Sequence, residues 1–274
     1  MKEKFQGGLL GLAAGDMFYP KNNGRYSEET QIALEIATLL HQDGNYEENL
    51  PKVLKVWAES HKDNKDIDLM TFFAFENGHP MDSTSGSLAA FAVPAGFYHF
   101  RNIPKAIDCA RTTIAQITVD SSCQCSCVAA ALMGLYAVMD VPFGVWASEL
   151  MSFVRGIDND LVDSIKTTMD MSASSEDIES FGKFSKQLNP CESVVCSSLF
   201  ACVHFHKNFG IAIEVASELS KDPDAATALT GACLGAKFGM KAIPEDLIVR
   251  LENKEDILNI GEKLFYGSMK ANPV

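Results

Sequence analysis

The sequence predicts an all-α fold, a single compact domain of many helices spanning residues 1–274. Apolar residues recur at helical spacing along most of the chain, and the strict alternation that marks a half-buried strand is nowhere sustained. A chain of 274 residues is long enough to bury a substantial core. Its 47% hydrophobic and 22% charged residues are the ordinary balance of a globular protein.

The predicted helices follow one another along the chain. In residues 31–40, Ile32, Ile36, Leu39 and Leu40 fall on one stripe, the pattern of an amphipathic helix. The same spacing predicts helices over residues 50–58, 104–118, 122–139, 145–155, 158–169, 192–207, 211–219, 223–238, 244–251 and 255–265.

Two of these helices are rich in small side chains. Gly134 lies beside three alanines in one, and Gly231 and Gly235 lie among alanines in the other. Small residues at helical spacing allow close approach of helix axes, which is typical of helices at the centre of a domain. Residues 170–189 are dominated by Ser, Glu and Lys and are predicted to form a flexible insertion within the one domain.

Charge and cysteine usage restrict the class of protein. The formal net charge of −13 excludes a nucleic-acid binder, which would carry a basic stripe. No apolar run reaches the about 20 residues that span a bilayer, so no membrane contact is expected. The eight cysteines are not spaced as a disulfide framework, and a cytoplasmic location is predicted. On a helix Cys125 would point away from Cys123 and Cys127, which favours core packing over a zinc site.

Two acidic helix starts are the chemically distinctive features. Ser27, Glu28 and Glu29 open the first predicted helix, and Asp222 and Asp224 open the helix over residues 223–238. Taken locally, both are ordinary helix starts, since Ser and Asp are good N-caps and acidic residues in a first turn are favoured by the helix dipole. Alternatively the two starts meet in space and bind hard cations, because crowded carboxylates are relieved by Mg²⁺ or Ca²⁺.

Three segments resemble one known family. Residues 8–16 (GLLGLAAGD) followed by residues 26–30 (YSEET) resemble the opening of the ADP-ribosylglycohydrolases. Residues 222–239 (DPDAATALTGACLGAKFG) look like that family's second acidic segment and its small-residue helix, and residues 85–94 are similar to its substrate loop. The elements occur in the family's order along almost the whole chain.

The resemblance implies an all-α domain with two Mg²⁺ ions in a cleft, where ADP-ribose is released from modified side chains or small conjugates. Carried over by position, the metal ligands would be Ser27, Glu28, Glu29, Asp222 and Asp224. Glu28 or Glu29 would be the catalytic carboxylate that orients or deprotonates the water. The resemblance also assigns substrate binding to Ser85, Gly86 and Ser87.

This chain departs from the family pattern at residues that would bind the metal ions or take part in the reaction. Glu28 and Glu29 replace aspartates, Ala225 replaces a threonine that would supply an oxygen, and Lys221 replaces a glycine and could compete for the carboxylates. Two hypotheses therefore stay open. One is a magnesium-dependent ADP-ribosylglycohydrolase; the other is a catalytically silent relative that binds a nucleotide or a protein partner or serves structurally.

Overall fold

The computed structural model describes residues 1–18, 24–42, 45–62 and 67–272 and confirms the all-α prediction. No strand occurs in these ranges, and one isolated bridge joins Met81 to Thr118. The helices are α1 (Lys2–Asp16), α2 (Glu28–His41), α3 (Tyr46–Ser60), α4 (Leu69–Asn77), α5 (Ser87–Tyr98), α6 (Ile103–Ala115), α7 (Ser121–Val138), α8 (Phe143–Val154), α9 (Asn159–Asp170), α10 (Ser175–Ser185), α11 (Pro190–Phe205), α12 (Phe209–Leu219), α13 (Pro223–Phe238), α14 (Glu245–Arg250) and α15 (Lys254–Ala271).

In the centre of the fold, α1 packs directly against α13. A methyl group added to Gly11 would lie less than 3.0 Å from the carbonyl oxygen of Gly231, and one added to Gly231 would meet Gly11 in the same way. Gly15 faces Thr227 equally closely. The two backbones therefore touch over several turns, as the small side chains in α13 predict.

The pairing of α1 with α13 is antiparallel, and this decides where the acidic residues lie. Gly15, near the end of α1, contacts Thr227, which is in the second turn of α13, whereas Gly7 contacts Gly235 further along. The last residue of α1, Asp16, is thus carried to the end of the pair at which α13 starts. Two segments from opposite ends of the chain meet there.

Helix α7 crosses the core beside α5. A methyl group on Gly96 of α5 would lie less than 3.0 Å from the carbonyl oxygen of Ala131. Contrary to the expectation from sequence, α7 is long and apolar enough to cross a membrane by length and composition. However, 83% of it is buried inside the protein, and helices in a protein core can have the same length and apolar composition.

The stretch for which a flexible insertion is predicted contains helix α10. Phe181 of this helix is fully buried, and its ring stacks on Phe200 of α11 with the centroids 4.7 Å apart. Phe181, Phe200, Cys196 and Leu219 form a small second hydrophobic cluster. This contact attaches α10 to the body of the domain.

One disulfide, Cys123–Cys191, links the first turns of α7 and α11. Core packing is the sequence-based prediction for Cys123, and this residue is indeed buried, but its pairing was not predicted. Cys125 and Cys127 are buried free thiols, as expected. In a reducing cytoplasm the two paired sulfurs would be thiols.

Candidate active site

Five helices begin around one cleft. The first turns of α2, α4, α5, α11 and α13 surround a cavity of about 490 Å³. Because helix N-termini carry a partial positive charge and unpaired N–H groups, they favour negative charge in the space between them. The cleft is lined by Ser27, Glu28, Glu29, Asp68, Thr84, Ser85, Ser87, Pro190, Lys221, Asp222 and Asp224.

The structure brings the two acidic helix starts together. All five residues that resemblance assigns to metal binding line the same cleft, as do Ser85 and Ser87. Gly86 lies directly behind it, where its backbone N–H donates to the Asp222 carboxylate at 3.0 Å. The interpretation of the two starts as unrelated helix caps does not account for this convergence.

Asp16 holds the first acidic start in place. Its carboxylate is fully buried and accepts hydrogen bonds from the backbone N–H groups of Ser27 and Thr30 and from the Thr30 hydroxyl at 2.6 Å. The end of α1 is thereby tied to the start of α2. Sequence reasoning gave Asp16 no role, although an acidic residue that ends an apolar helix marks a buried polar contact.

The Ser27 hydroxyl lies between two carboxylates. It is within hydrogen-bond distance of both Asp16 and Glu29, yet a hydroxyl has one proton to donate. A further proton or a cation is therefore needed to relieve the repulsion among these oxygens. A hard cation bound here would relieve that repulsion and take oxygen ligands.

Glu28 and Glu29 differ in how firmly they are held. One oxygen of Glu29 accepts from the Ser87 hydroxyl at 2.8 Å, and the other lies within hydrogen-bond distance of the Ser27 hydroxyl. The Glu28 carboxylate is bonded to its own backbone N–H. Glu29 is consequently fixed between α2 and α5, and Glu28 has oxygen free to face the cleft.

Crowding and burial raise the pKa values of three carboxyls. Burial, followed by repulsion from Glu29, raises the pKa of Glu28 to about 9 and that of Asp16 to about 8. The pKa of Asp222 rises to about 7 for the same two reasons, with a further contribution from Asp224. A cation bound among these carboxyls would favour their ionised forms and lower their pKa values again.

Three of the cleft carboxylates have no basic partner in the described part of the chain. Among the described residues, Glu28, Glu29 and Asp222 form no ion pair with a basic side chain. Lys221, which the sequence suggested as a competitor, directs its ammonium to the carbonyl oxygen of Leu188 at 3.2 Å. Glu28, Glu29 and Asp222 could therefore accept a cation without first releasing a basic side chain.

Asp68 is a second residue that sequence reasoning missed. It caps α4 by accepting from the Thr71 N–H at 2.9 Å, and it also accepts from the Ser83 hydroxyl at 2.9 Å. It lines the cleft opposite the second acidic start and adds another carboxylate to it. Its local pattern, Asp followed three residues later by Thr, indicates only a helix cap.

The residues present fit magnesium. The donors are carboxylate and hydroxyl oxygens, the ligands that Mg²⁺ prefers. Within the described ranges, Glu28, Glu29 and Asp222 form no ion pair with a basic side chain. Ala225 is buried and offers no side-chain oxygen, so one ligand of the family pattern is absent. Water would have to take that place, which Mg²⁺ accepts readily.

We expect the protein in a chelator to lose stability as the pH rises between about 4 and about 9. The pKa values of Asp16, Glu28 and Asp222 are raised on folding, so the folded state holds more protons in this window. Their stabilising contribution is complete below the unfolded pKa values and disappears as the pH passes the folded ones. Melting temperatures measured across this range test the expectation.

The Glu28→Gln variant tests how much of this pH dependence of stability comes from the crowding of carboxyls. Removing one crowded carboxyl should raise the melting temperature in chelator by on the order of 5 °C at about pH 8 and flatten its pH dependence. Glu47→Gln is the matched control, because Glu47 is also a first-turn glutamate but is exposed. A Glu28→Gln protein that is less stable than wild type at this pH would contradict the account of crowding.

Comparisons with known proteins bear on this cleft. The sequence profile described as ADP-ribosylglycohydrolase matches residues 1–273. The ADP-ribosylarginine hydrolase Tri1 of Serratia proteamaculans (strain 568) is 41% identical over 59 residues, which is 22% of this chain and 16% of that protein. A solved ADP-ribosylglycohydrolase-related protein complex superposes with a TM-score of 0.77 at 16% identity, covering 98% of this chain and 99% of the other. That structure is similar in fold.

Proposed function

This chain belongs to the ADP-ribosylglycohydrolase family, and from this premise we propose that it is a magnesium-dependent hydrolase. Its substrate would be ADP-ribose attached to a protein side chain or to a small conjugate. The observation that carries the proposal is the convergence of Glu28, Glu29, Asp222 and Asp224 in one cleft. Glu28 and Asp222 hold their carboxyl groups in a crowded, buried place at a cost in stability, and a bound cation would relieve that cost.

The proposed ligands are Ser27, Glu28, Glu29, Asp222 and Asp224. Two Mg²⁺ ions bound by them would orient the ribose hydroxyls and polarise a water. The firm attachment of Glu29 to Ser27 and Ser87, and of Asp222 to the Gly86 N–H, supports a positioning role for these two carboxylates.

Glu28 is the carboxylate that we assign to the attacking water. Its oxygens are the less committed of the two candidates, and it faces the cleft. In the reaction, the water oxygen bonds to the anomeric carbon while the glycosidic bond breaks and its electron pair leaves with the side chain. The water proton passes to Glu28 and then to the leaving group.

The turn before α5 is the proposed contact for the substrate. Ser85 and Ser87 line the cleft, and their hydroxyl oxygens are 3.2 Å apart. Ser87 is also hydrogen-bonded to Glu29, so a ligand that contacts this turn is positioned relative to the acidic side chains. This supports substrate binding by Ser85, Gly86 and Ser87.

A catalytically silent relative is the second candidate, and one observation favours it. Ala225 supplies no oxygen at a position where the family has a threonine, and Glu28 and Glu29 are each one methylene longer than aspartate. Mg²⁺ requires a near-ideal octahedron with short bonds, so these changes act directly on the affinity for the ion. Such a protein would bind ADP-ribose or a protein partner without turning substrate over.

The two candidates are separated by incubating the protein with an ADP-ribosylated arginine peptide, with and without Mg²⁺, and measuring free ADP-ribose. Arginine is chosen because Tri1, which matches part of this chain, is an ADP-ribosylarginine hydrolase. The enzyme hypothesis expects release that requires Mg²⁺ and falls about 10²- to 10⁴-fold in Glu28→Gln, with Glu47→Gln unchanged.

An intact peptide at high protein concentration, together with no heat on titration with Mg²⁺, would rule the enzyme hypothesis out. ADP-ribose binding without turnover would support the silent candidate. In that case Ala225→Thr, which restores the missing oxygen, is the first variant in which to look for activity.

The proposal also covers the location of the protein and its partners. We propose a cytoplasmic protein whose ligand contains ADP-ribose and which binds neither nucleic acid nor membrane. The net charge of −13 supports the first exclusion. The burial of most of α7 within the fold supports the second.

A further inference from the structure

One basic residue stands among the residues that line the acidic cleft. In the part of the chain that the structure describes, the lining comprises Asp68 and the four acidic residues of the two helix starts, and its single basic member is Lys221. Lys221 directly precedes Asp222 and is itself exposed. A cation at this position acts on any charged ligand that enters.

The backbone and the ammonium of Lys221 are both hydrogen-bonded to residues in or beside α11. Its backbone N–H donates to the Ser193 hydroxyl at 2.8 Å, and its ammonium donates to the Leu188 carbonyl at 3.2 Å. Leu188 lies two residues before α11, whose first residue, Pro190, also lines the cleft. The ammonium therefore lies at the rim between the starts of α11 and α13.

The ammonium carries a full charge that no carboxylate of the cleft neutralises. The ion pairs formed by the described residues do not include Lys221, and its recorded partner is a neutral carbonyl. An ammonium bonded to one carbonyl keeps two more donors for a ligand. A charged ligand oxygen is a stronger partner than a neutral carbonyl.

A substrate that carries phosphate needs such a group here. The cleft carboxylates repel a diphosphate, and cations held by those carboxylates would be occupied with the ribose end. We propose that Lys221 binds the diphosphate of the substrate at the rim of the cleft and so makes the site specific for glycosides that carry an anionic group. The inference rests on the proposed function and deepens it, since Lys221 is a specificity-determining residue that touches no reacting atom.

The test is calorimetric binding of ADP-ribose and of ribose in saturating Mg²⁺, the ribose measured by competition. Lys221→Met should weaken binding of ADP-ribose about tenfold and reduce its dependence on salt, because a charge-assisted contact is lost. Binding of uncharged ribose, measured in saturating Mg²⁺, should not change. Lys221→Arg should restore most of the affinity for ADP-ribose, and Lys186→Met is the control for the loss of an exposed lysine outside the cleft.

The role of Lys221 would be overturned if Lys221→Met bound ADP-ribose at least as tightly as wild type does. It would also be overturned if the variant lost as much affinity for ribose as for ADP-ribose. The readout is binding, so it does not depend on turnover. A wild-type protein that binds ADP-ribose and loses it in Lys221→Met, but never hydrolyses a conjugate, would contradict the proposed hydrolase while upholding this inference. A wild-type protein that does not bind ADP-ribose would overturn both.

Discussion

Replacing both Asp222 and Asp224 by asparagine is expected to abolish Mg²⁺ binding and to reduce release of ADP-ribose by at least about 10³-fold. The two residues form one of the two acidic walls of the cleft, so the variant changes two of the five proposed ligands. Asparagine keeps the size of each side chain and an oxygen that can accept from the Gly86 N–H, but it removes two negative charges. Isothermal titration with Mg²⁺ and an assay of free ADP-ribose measure the two effects.

The control for this variant is Asp160→Asn with Asp163→Asn, which removes the same charge from the exposed face of α9. Helical content by circular dichroism should be unchanged in both double variants. Undiminished Mg²⁺ heat in the Asp222 and Asp224 variant would show that the second acidic start is not a cation site.

Gly231→Val is expected to have the largest effect on folding, a loss of more than about 3 kcal/mol of unfolding free energy. The first added carbon would lie less than 3.0 Å from the carbonyl oxygen of Gly11, which is backbone and cannot rotate away. The whole α1–α13 pair would have to separate, and the contacts of several turns would be weakened with it. Chemical denaturation followed by circular dichroism measures the loss.

Gly144→Ala is the matched control in another helix. A methyl group at Gly144 meets nothing within 4 Å, so this variant should be neutral or more stable by up to about 1 kcal/mol. A Gly231→Val protein as stable as wild type would mean that α1 and α13 do not touch as described.

The sequence predicts the helices that have one apolar face and fails for those that do not. All eleven predicted helices occur, from α2 to α15. α1 and α5 were missed because they are buried on nearly every side, so their residues show no stripe of period 3.6. α4 is short, and α10 has a polar sequence that resembles a loop, with Phe181 as its anchor.

For the site, the sequence supplied the two acidic starts but not the means by which they meet. Residue patterns describe one helix at a time, and the convergence depends on the antiparallel contact of α1 with α13. Asp16 and Asp68 were overlooked for the same reason, since their partners come from other elements or from an adjoining loop. The Cys123–Cys191 bond joins two helix starts whose proximity no cysteine spacing reveals.

The glycine contact between α1 and α13 also restricts what the protein can do when a ligand arrives. Two backbones in direct contact, without intervening side chains, resist sliding past each other, so we expect the acidic residues at the end of this pair to keep the same separation when a ligand binds. Ions would enter a preformed cage and lose little affinity to rearrangement of the chain. We therefore expect any widening of the cleft to come from the other elements around it, such as the turn that carries Ser85 or the segment that leads into α11.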